Sequence, residues 1–476
     1  MGSSIDFGGR PIHFIGIGGI GMSGLAYVLA RRGLPVSGSD LKSTNITQKL
    51  AAEGAHIFLK QDASNLAFFD NHPSGQTPQI ICSTAIGKTN NELTAALARG
   101  CPIFHRSDVL AALIAEYTSI GVAGTHGKTT TSSAIGYMLV EAGVDPTIVV
   151  GGEVTAWDGT ARVGKSEYFV AEVDESDGSI VKHSPKIGVI TNIELDHTDH
   201  YKSLEQVVDT FTTFAKQCQM TIGSIDCSIV RERIKPTISY SVEPRVADYT
   251  VDAIDYHADG TSAQVYESGK LLGTLKLGVL GKHNLSNALA TIAVGRQIGL
   301  DFTAIAAGLA TFSGAKRRFE LRGYQNNITF VDDYAHHPSE ILVTLSAARL
   351  RVGAERRVVA VFQPHRYSRT LEFLAEFAQS FKDADLVVIT DIYSAGEADT
   401  GVISGEQVVA QIGRYHPNVC YQPTLDAVSQ FLTHNLQQGD ICLCLGAGNL
   451  NQIIPGVLDF YRTALNAKQT ETVARS

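Results

Sequence analysis

The chain has 476 residues, more than one ordinary domain requires, and length alone predicts about three. Apolar residues make up 44% and charged residues 18%, a globular balance that excludes a disordered or fibrous chain. The formal net charge of −9 excludes a protein whose main task is coating nucleic acid or an anionic membrane, though not one with a local basic pocket for a phosphorylated small molecule.

Residues 1–9 lack the basic and apolar parts of a signal peptide, and Asp6 breaks the myristoylation pattern. Short apolar runs then alternate with helical patterns, at 12–17, 80–82, 169–173, 188–190, 358–362, 386–389 and 441–445. Such alternation predicts βα units with buried, mostly parallel sheets. Between 249 and 279 the texture changes to short alternating stretches broken at 258–260 and 267–269, which predicts antiparallel hairpins. Leu371, Leu374, Ala378 and Phe381 fall on one face of a predicted helix. The seven cysteines form no C-x-x-C pair, and Cys442 and Cys444 alternate like strand residues. They are expected as buried reduced thiols in a cytoplasmic protein. No apolar run reaches the roughly 18 residues of a spanning helix, so no membrane insertion is expected.

New βα units begin near Pro11, Ser119 and Asn327. The expected fold is therefore α/β in three domains. Residues 1–112 are expected to be Rossmann-like, 113–322 P-loop ATPase-like with a small antiparallel part, and 323–476 Rossmann-like again.

Three constellations carry chemistry. The first runs from His13 through Gly16, Gly18, Gly19 and Gly21: a strand, a G-x-G-x-x-G turn, then a helical stretch to Ala30. Its glycines let backbone N–H groups approach a diphosphate at a helix N-terminus. Asp40 ends the next strand, where such folds place a ribose-binding acid. As text alone this is the pattern of an NAD-dependent oxidoreductase; physically it specifies only a diphosphate.

The second is Gly124-Thr125-His126-Gly127-Lys128-Thr129-Thr130, with a strand before it and a helix to Gly143 after it. Position 122 is Val where a full P-loop has Gly, so the loop is a variant. Amide hydrogens, the Lys128 charge and the Thr129 hydroxyl still suit ATP and Mg²⁺.

The third follows the next two strands: Glu172 with Asp174-Glu175-Ser176-Asp177, then Asp196-His197 with Asp199 and His200. Acids and imidazoles beside a phosphate loop suit metal ions that neutralise a transferring phosphoryl group. Asp177, Asp199 and His200 fit equally well as acidic and polar loop residues.

Together with Gly281-Lys282-His283-Asn284, Arg317-Arg318-Phe319-Glu320, Asp332-Asp333-Tyr334-Ala335-His336-His337-Pro338, His365-Arg366-Tyr367-Ser368-Arg369-Thr370 and Gly446-Ala447-Gly448-Asn449, these motifs resemble the Mur ligases in order and over essentially the whole chain. That family makes amide bonds at the cost of ATP in peptidoglycan precursor synthesis. The resemblance implies that ATP and UDP-N-acetylmuramate react to an acyl phosphate, which L-alanine then attacks. Another member of the family, adding a peptide to the same UDP-sugar, is the alternative.

The resemblance further implies a place for each residue. Gly18, Gly19, Gly21 and Ser23 would lie near the diphosphate of the UDP-sugar, Asp40, Ser83 and Thr84 near its uridine, and His105 and Arg106 near its sugar. Lys128 and Thr129 would carry ATP phosphates and Mg²⁺, with Glu172 and His197 as further metal ligands and, with Lys128, as the catalytic set. Asn287 would read adenine, and Arg318 and Asp333 would reach phosphate and ribose from a hinge at 314–323. Tyr334, His336, His365, Arg366 and Arg369, with Glu397 nearby, would form the amino-acid pocket. Sister ligases carry a carbamylated lysine, for which Lys216 is the nearest candidate. A monomer or weak homodimer is implied, with no nucleic-acid partner.

Overall fold

Strands that are apolar along their whole length must be covered on both faces, and the central strand of each sheet meets that demand. The computed structural model describes residues 4–463. In the first sheet Ile12–Ile15, buried throughout, lies at the centre of five parallel strands. Their order is His56–Phe58, Val36–Ser39, Ile12–Ile15, Gln79–Cys82, Ile103–His105. The strand order reverses at Ile12–Ile15, and such a reversal leaves a crevice at the strand ends. The buried His13 lies between Ser37 Oγ (2.7 Å) and Glu92 Oε1 (2.8 Å), and Asn65 Nδ2 donates to the same Glu92 oxygen (2.7 Å).

The second sheet has ten strands. Thr118–Ala123 runs parallel between Ile187–Ile190 and Tyr168–Glu172, so the ends of all three point to one edge. The helix Lys128–Glu141 leaves that edge and packs on Lys282–Gln297 and Phe302–Thr311. Tyr249–His257, Gly260–Glu267 and Lys270–Leu277 form the expected antiparallel hairpins. They continue the main sheet through Ile238–Ser241 and do not form a separate one.

The third sheet is ordered Glu320–Gln325, Ile328–Asp333, Ile441–Leu445, Val358–Phe362, Leu386–Ile389, Val419–Tyr421, parallel except for its first pair. Cys442 and Cys444 are buried in Ile441–Leu445, and all seven cysteines are free.

Two expectations need correction. The helix near 371 is broken into Tyr367–Glu372 and Leu374–Ala378. Leu371 is 47% exposed, and the buried stripe is Phe373, Phe377 and Phe381, which pack against Ile389 and Phe362 in the core. Ala378 and Phe381 are buried and Leu374 packs on the same core, so of the expected face only Leu371 is misplaced. The antiparallel strand Glu320–Gln325 carries only intermediate and exposed residues, so it gave no apolar signal. Among the described residues no helix is long and apolar enough to cross a membrane.

Candidate functional site

The strand ends of all three sheets face one cleft of about 930 Å³. It is entered by Gly19 and Gly21 from the first, Lys128 and Glu172 from the second, and His365 and Arg369 from the third. A smaller cavity of about 210 Å³ adjoins it, lined among others by Gly127, Thr130, Asn287, Arg318 and Asp333.

At the first turn Gly16 is left-handed (φ 80°), and the Gly18 N–H donates to Asp40 Oδ2 (2.9 Å). A Cβ on Gly18 would stand 2.8 Å from that oxygen, so a side chain there would displace the Asp40 carboxylate from its bond to the turn. Gly19, Gly21, Ser83, Thr84 and Arg106 line the cleft. Three expected neighbours do not line the cleft and bond locally. Asp40 serves the turn itself. The buried Ser23 lies 3.3 Å from the Ile20 carbonyl, its hydroxyl donating within the helix. His105 is the N-cap of Arg106–Glu116, its Nδ1 2.7 Å from Ser107 Oγ. Ile20 and Asn45 also line the cleft; Ile20 occupies a variable position of the glycine turn, and Asn45 stands in no recognisable motif.

The phosphate loop depends on two left-handed glycines, Gly124 (φ 137°) and Gly127 (φ 81°). Lys128 Nζ donates to the carbonyls of Gly124 (2.7 Å) and Thr125 (3.2 Å) and to Glu175 Oε1 (2.9 Å). Burial disfavours its charge, but Glu175, Asp174 and Glu172 outweigh burial and raise its pKa. Burial pushes the Glu175 carboxyl up to about 7 in spite of Lys128.

Thr129 Oγ1 donates to Glu172 Oε1 (3.1 Å), whose other oxygen accepts the Gly151 N–H (2.6 Å). His197 does not join that pair most closely. Its ligand atom groups with Asp174 and Glu175, the three lying within 4.8 Å of one another. The expected metal set Thr129, Glu172 and His197 is thus divided over two adjacent clusters, and Asp174 and Glu175 were missed as members. Their signal was present, since both follow an apolar strand directly. His197 has φ 52°, a strained conformation that aims its ring into the cleft. Burial lowers its pKa in spite of the neighbouring Asp196 carboxylate. Asp177 and His200 do not line the cleft.

In the small cavity Asn287 is buried and accepts from Thr131 Oγ1 (3.1 Å). Asp333 accepts the Phe319 and Ala335 N–H groups, both at 2.7 Å, and burial raises it to about 6. It therefore shapes the segment after Gly314, where Arg317 (φ 58°) and Phe319 (φ 50°) are also left-handed. The guanidiniums of Arg317 and Arg318 lie 5.0 and 5.1 Å from the Tyr334 ring centroid.

Tyr334, His336, His365, Arg366 and Arg369 all reach the large cleft. Burial holds His336 near 3 and His365 near 4, so both are neutral at ordinary pH. His365 is stacked on Tyr393, with ring planes 13° apart. Arg366 pairs with Asp199 (2.7 Å). Glu397 stays outside the cleft and accepts from Ser368 N (3.1 Å) and Oγ (2.5 Å). Lys216 is also excluded. It lies in the last turn of the helix Leu204–Gln217, and Gln219 and Met220 just beyond that helix donate to the Pro185 and Lys186 carbonyls at the start of the strands, opposite the phosphate loop.

Comparison with known proteins covers the chain from end to end. Residues 11–118 match the model for "Mur ligase family, catalytic domain", 122–295 the "Mur ligase middle domain", and 317–448 the "Mur ligase, glutamate ligase domain". A UDP-N-acetylmuramate–L-alanine ligase of Nostoc punctiforme is 65% identical over 470 residues, 96% of this chain and 98% of that protein. The enzyme so named from Synechocystis is 56% identical over 494 residues, 96% and 98% of the two chains. The crystal structure of UDP-N-acetylmuramate–alanine ligase from Thermotoga maritima aligns with a TM-score of 0.79 and 27% identity, over 95% of this chain and 99% of that one. Three matched segments, three sheets and one shared cleft agree: the chain belongs to the Mur ligase family.

Proposed function

We propose that the protein ligates L-alanine to the lactyl carboxylate of UDP-N-acetylmuramate, converting ATP to ADP and phosphate, in peptidoglycan precursor synthesis. The observation that carries the reading is a single cleft walled by a diphosphate turn, an ATP loop and an arginine-bearing strand end. Full-length relatives named for this reaction at 56–65% identity support the choice of amino acid. In this reading the unit of the first sheet holds the UDP-sugar, that of the second holds ATP, and that of the third, whose first strand is Glu320–Gln325, holds the amino acid.

The lactyl carboxylate attacks the γ-phosphate, giving an acyl phosphate and ADP. The amine then attacks the acyl carbon, and the tetrahedral intermediate collapses to amide and phosphate. Phosphoryl transfer depends on positioning and charge stabilisation more than on covalent participation by the protein. Lys128, released from Glu175, supplies a cation at the transferring group. The left-handed turn at Gly124 and Gly127 presents amides to the phosphates. Asn287 offers an amide edge to adenine.

Two clusters of hard donors, Thr129 with Glu172 and His197 with Asp174 and Glu175, fit Mg²⁺ in oxygen content and in position. Bound there, Mg²⁺ would neutralise phosphate charge. Arg366 and Arg369 suit a carboxylate by their planar forks. Each is paired with a carboxylate of the central unit, Arg366 with Asp199 and Arg369 with Asp196, so an amino-acid carboxylate would share or displace those partners.

Phosphate release with UDP-N-acetylmuramate while the amino acid is varied tests the proposal. Release specific to L-alanine is expected. Strong release with D-glutamate or a diamino acid, and none with L-alanine, overturns it.

A further inference from the structure

His126 stands in the ATP loop, but its side chain leaves it. Nδ1 lies 3.2 Å from Glu340 Oε1 and Nε2 lies 3.5 Å from Glu194 Oε2. Glu340 sits on the third unit's helix Pro338–Val352 and also accepts the His336 N–H (3.0 Å). Glu194 belongs to the central unit and accepts from Ser339 Oγ (2.7 Å). The main chain of His126 is fixed from its own unit. Its N–H donates to Asn192 Oδ1 (2.9 Å), and its carbonyl accepts from Thr191 Oγ1 (2.6 Å) and Asn192 Nδ2 (3.0 Å). Burial opposes a charge on the ring, yet Glu194 and Glu340 outweigh it and raise its pKa to about 10. The ring is therefore a cation held between two carboxylates.

The same place could be taken for a metal site, because ligand atoms of His126, Glu194 and His337 lie within 4.8 Å of one another. His337 argues against it. Its Nδ1 accepts the Ser339 N–H as a helix cap (3.3 Å), which puts the ring hydrogen on Nε2 and makes that nitrogen a donor. With His126 protonated as well, neither imidazole offers a lone pair inward, and the His126 ring is a cationic latch bonded to Glu340.

We propose that His126 is a positioning residue that makes the seating of the third unit and the shape of the ATP loop one event, an inference that rests on the ligase reading above. Its backbone belongs to the loop that carries Lys128, and its ring belongs to the contact with Glu340. Seating of the amino-acid unit thus engages the nucleotide loop through the His126 ring, while the loop's main chain is held from its own unit.

The full-length His126→Ala, His126→Gln and Glu340→Gln variants test this, with thermal melting to verify folding. His126→Ala should keep the ATP dissociation constant within about threefold, lower kcat about tenfold or more, and raise KM for L-alanine. Its radius of gyration by X-ray scattering, with an ATP analogue and UDP-N-acetylmuramate bound, should exceed that of the wild type. His126→Gln should recover part of the loss, and Glu340→Gln, which leaves the loop sequence intact, should reproduce it. Unchanged kcat and radius would overturn the proposal, as would a loss of ATP affinity matching that of a Lys128 variant. One equivalent of Zn²⁺ held by the wild type and lost in His126→Ala would overturn it in favour of a metal site. Absence of phosphate release by the wild type with every amino acid would instead defeat the ligase reading, while scattering still tests the latch.

Discussion

Arg369 of the third unit reaches Asp196 of the central unit, with Nε and Nη2 at 3.0 and 2.8 Å from Asp196 Oδ1, and both residues are buried. Burial opposes the Asp196 charge, but His197 and Arg369 outweigh it and hold the carboxyl well below the usual carboxylate range. The arginine that suits a substrate carboxylate is thus already engaged by one of the protein's own. Arg369→Met should destabilise the closed arrangement by about 3–5 kcal/mol, because it leaves a buried charge unpaired. Asp196→Asn in the same chain should recover part of this. A carboxyl depressed in the folded state stabilises above its unfolded pKa and loses that effect as pH falls. The Arg369→Met deficit in urea unfolding should therefore be full near neutrality and shrink on acidification.

Lys128→Ala should abolish phosphate release while the affinity for UDP-N-acetylmuramate, measured by calorimetry, stays nearly unchanged. The two sites share a cleft but rest on different sheets. Equal loss of both would contradict the assignment of ligands to units.

Gly124→Ala should be worse than its size suggests. At φ 137° a side chain is strained, and the new Cβ would stand 1.9 Å from Thr191 Oγ1, the hydroxyl that holds the His126 carbonyl. ATP affinity should fall by at least about tenfold, with a measurable drop in melting temperature. Wild-type affinity would show that the loop tolerates a wider turn.

His183 gives a pH dependence of definite sign. It is 1% exposed; its Nδ1 meets the Ile180 carbonyl at 3.1 Å and its Nε2 is buried without a partner. Burial lowers it from 6.5 to about 4. A base depressed in the folded state favours folding above its unfolded pKa, and that contribution is lost as pH falls from about 6.5 to about 4, a swing of about 3 kcal/mol. His183→Asn should flatten the melting temperature over this interval relative to the wild type. Parallel curves would assign the acid sensitivity to other histidines.

Glu92→Ala should weaken the first unit most. It removes the acceptor of His13 Nε2 (2.8 Å), Ser39 Oγ (2.5 Å) and Asn65 Nδ2 (2.7 Å), leaving buried donors bare at about 1–3 kcal/mol each. Chemical denaturation should show the loss, and Glu92→Gln, which keeps one acceptor oxygen, should lose less.

The third sheet was legible because Val358–Phe362, Leu386–Ile389 and Ile441–Leu445 are apolar at every position, as buried parallel strands tend to be. The ATP loop was legible because Gly-Lys-Thr between strand and helix has few other uses. What stayed hidden was relational. Ser23 and His105 are of the right type and stand beside the right turn, yet their hydrogen bonds go to Ile20 and Ser107. Nothing in the local sequence states which way they face. Asp174 and Glu175 stand among acids that suit a metal ion, but their grouping with His197 is not legible, because His197 lies some twenty residues later and meets them only through sheet packing. Leu371 outranked Phe373 as an apolar candidate until the helix break at Phe373 turned it to solvent.

One cleft bounded by three sheets has a further consequence. No two units enclose it, so severing the chain on either side of the central sheet would open a wall to solvent. An acyl phosphate formed there would meet water before amine, and ATP would be spent without product. Covalent continuity of the three units is in this sense a containment vessel, and the ratio of phosphate released to amide formed measures how well it is sealed.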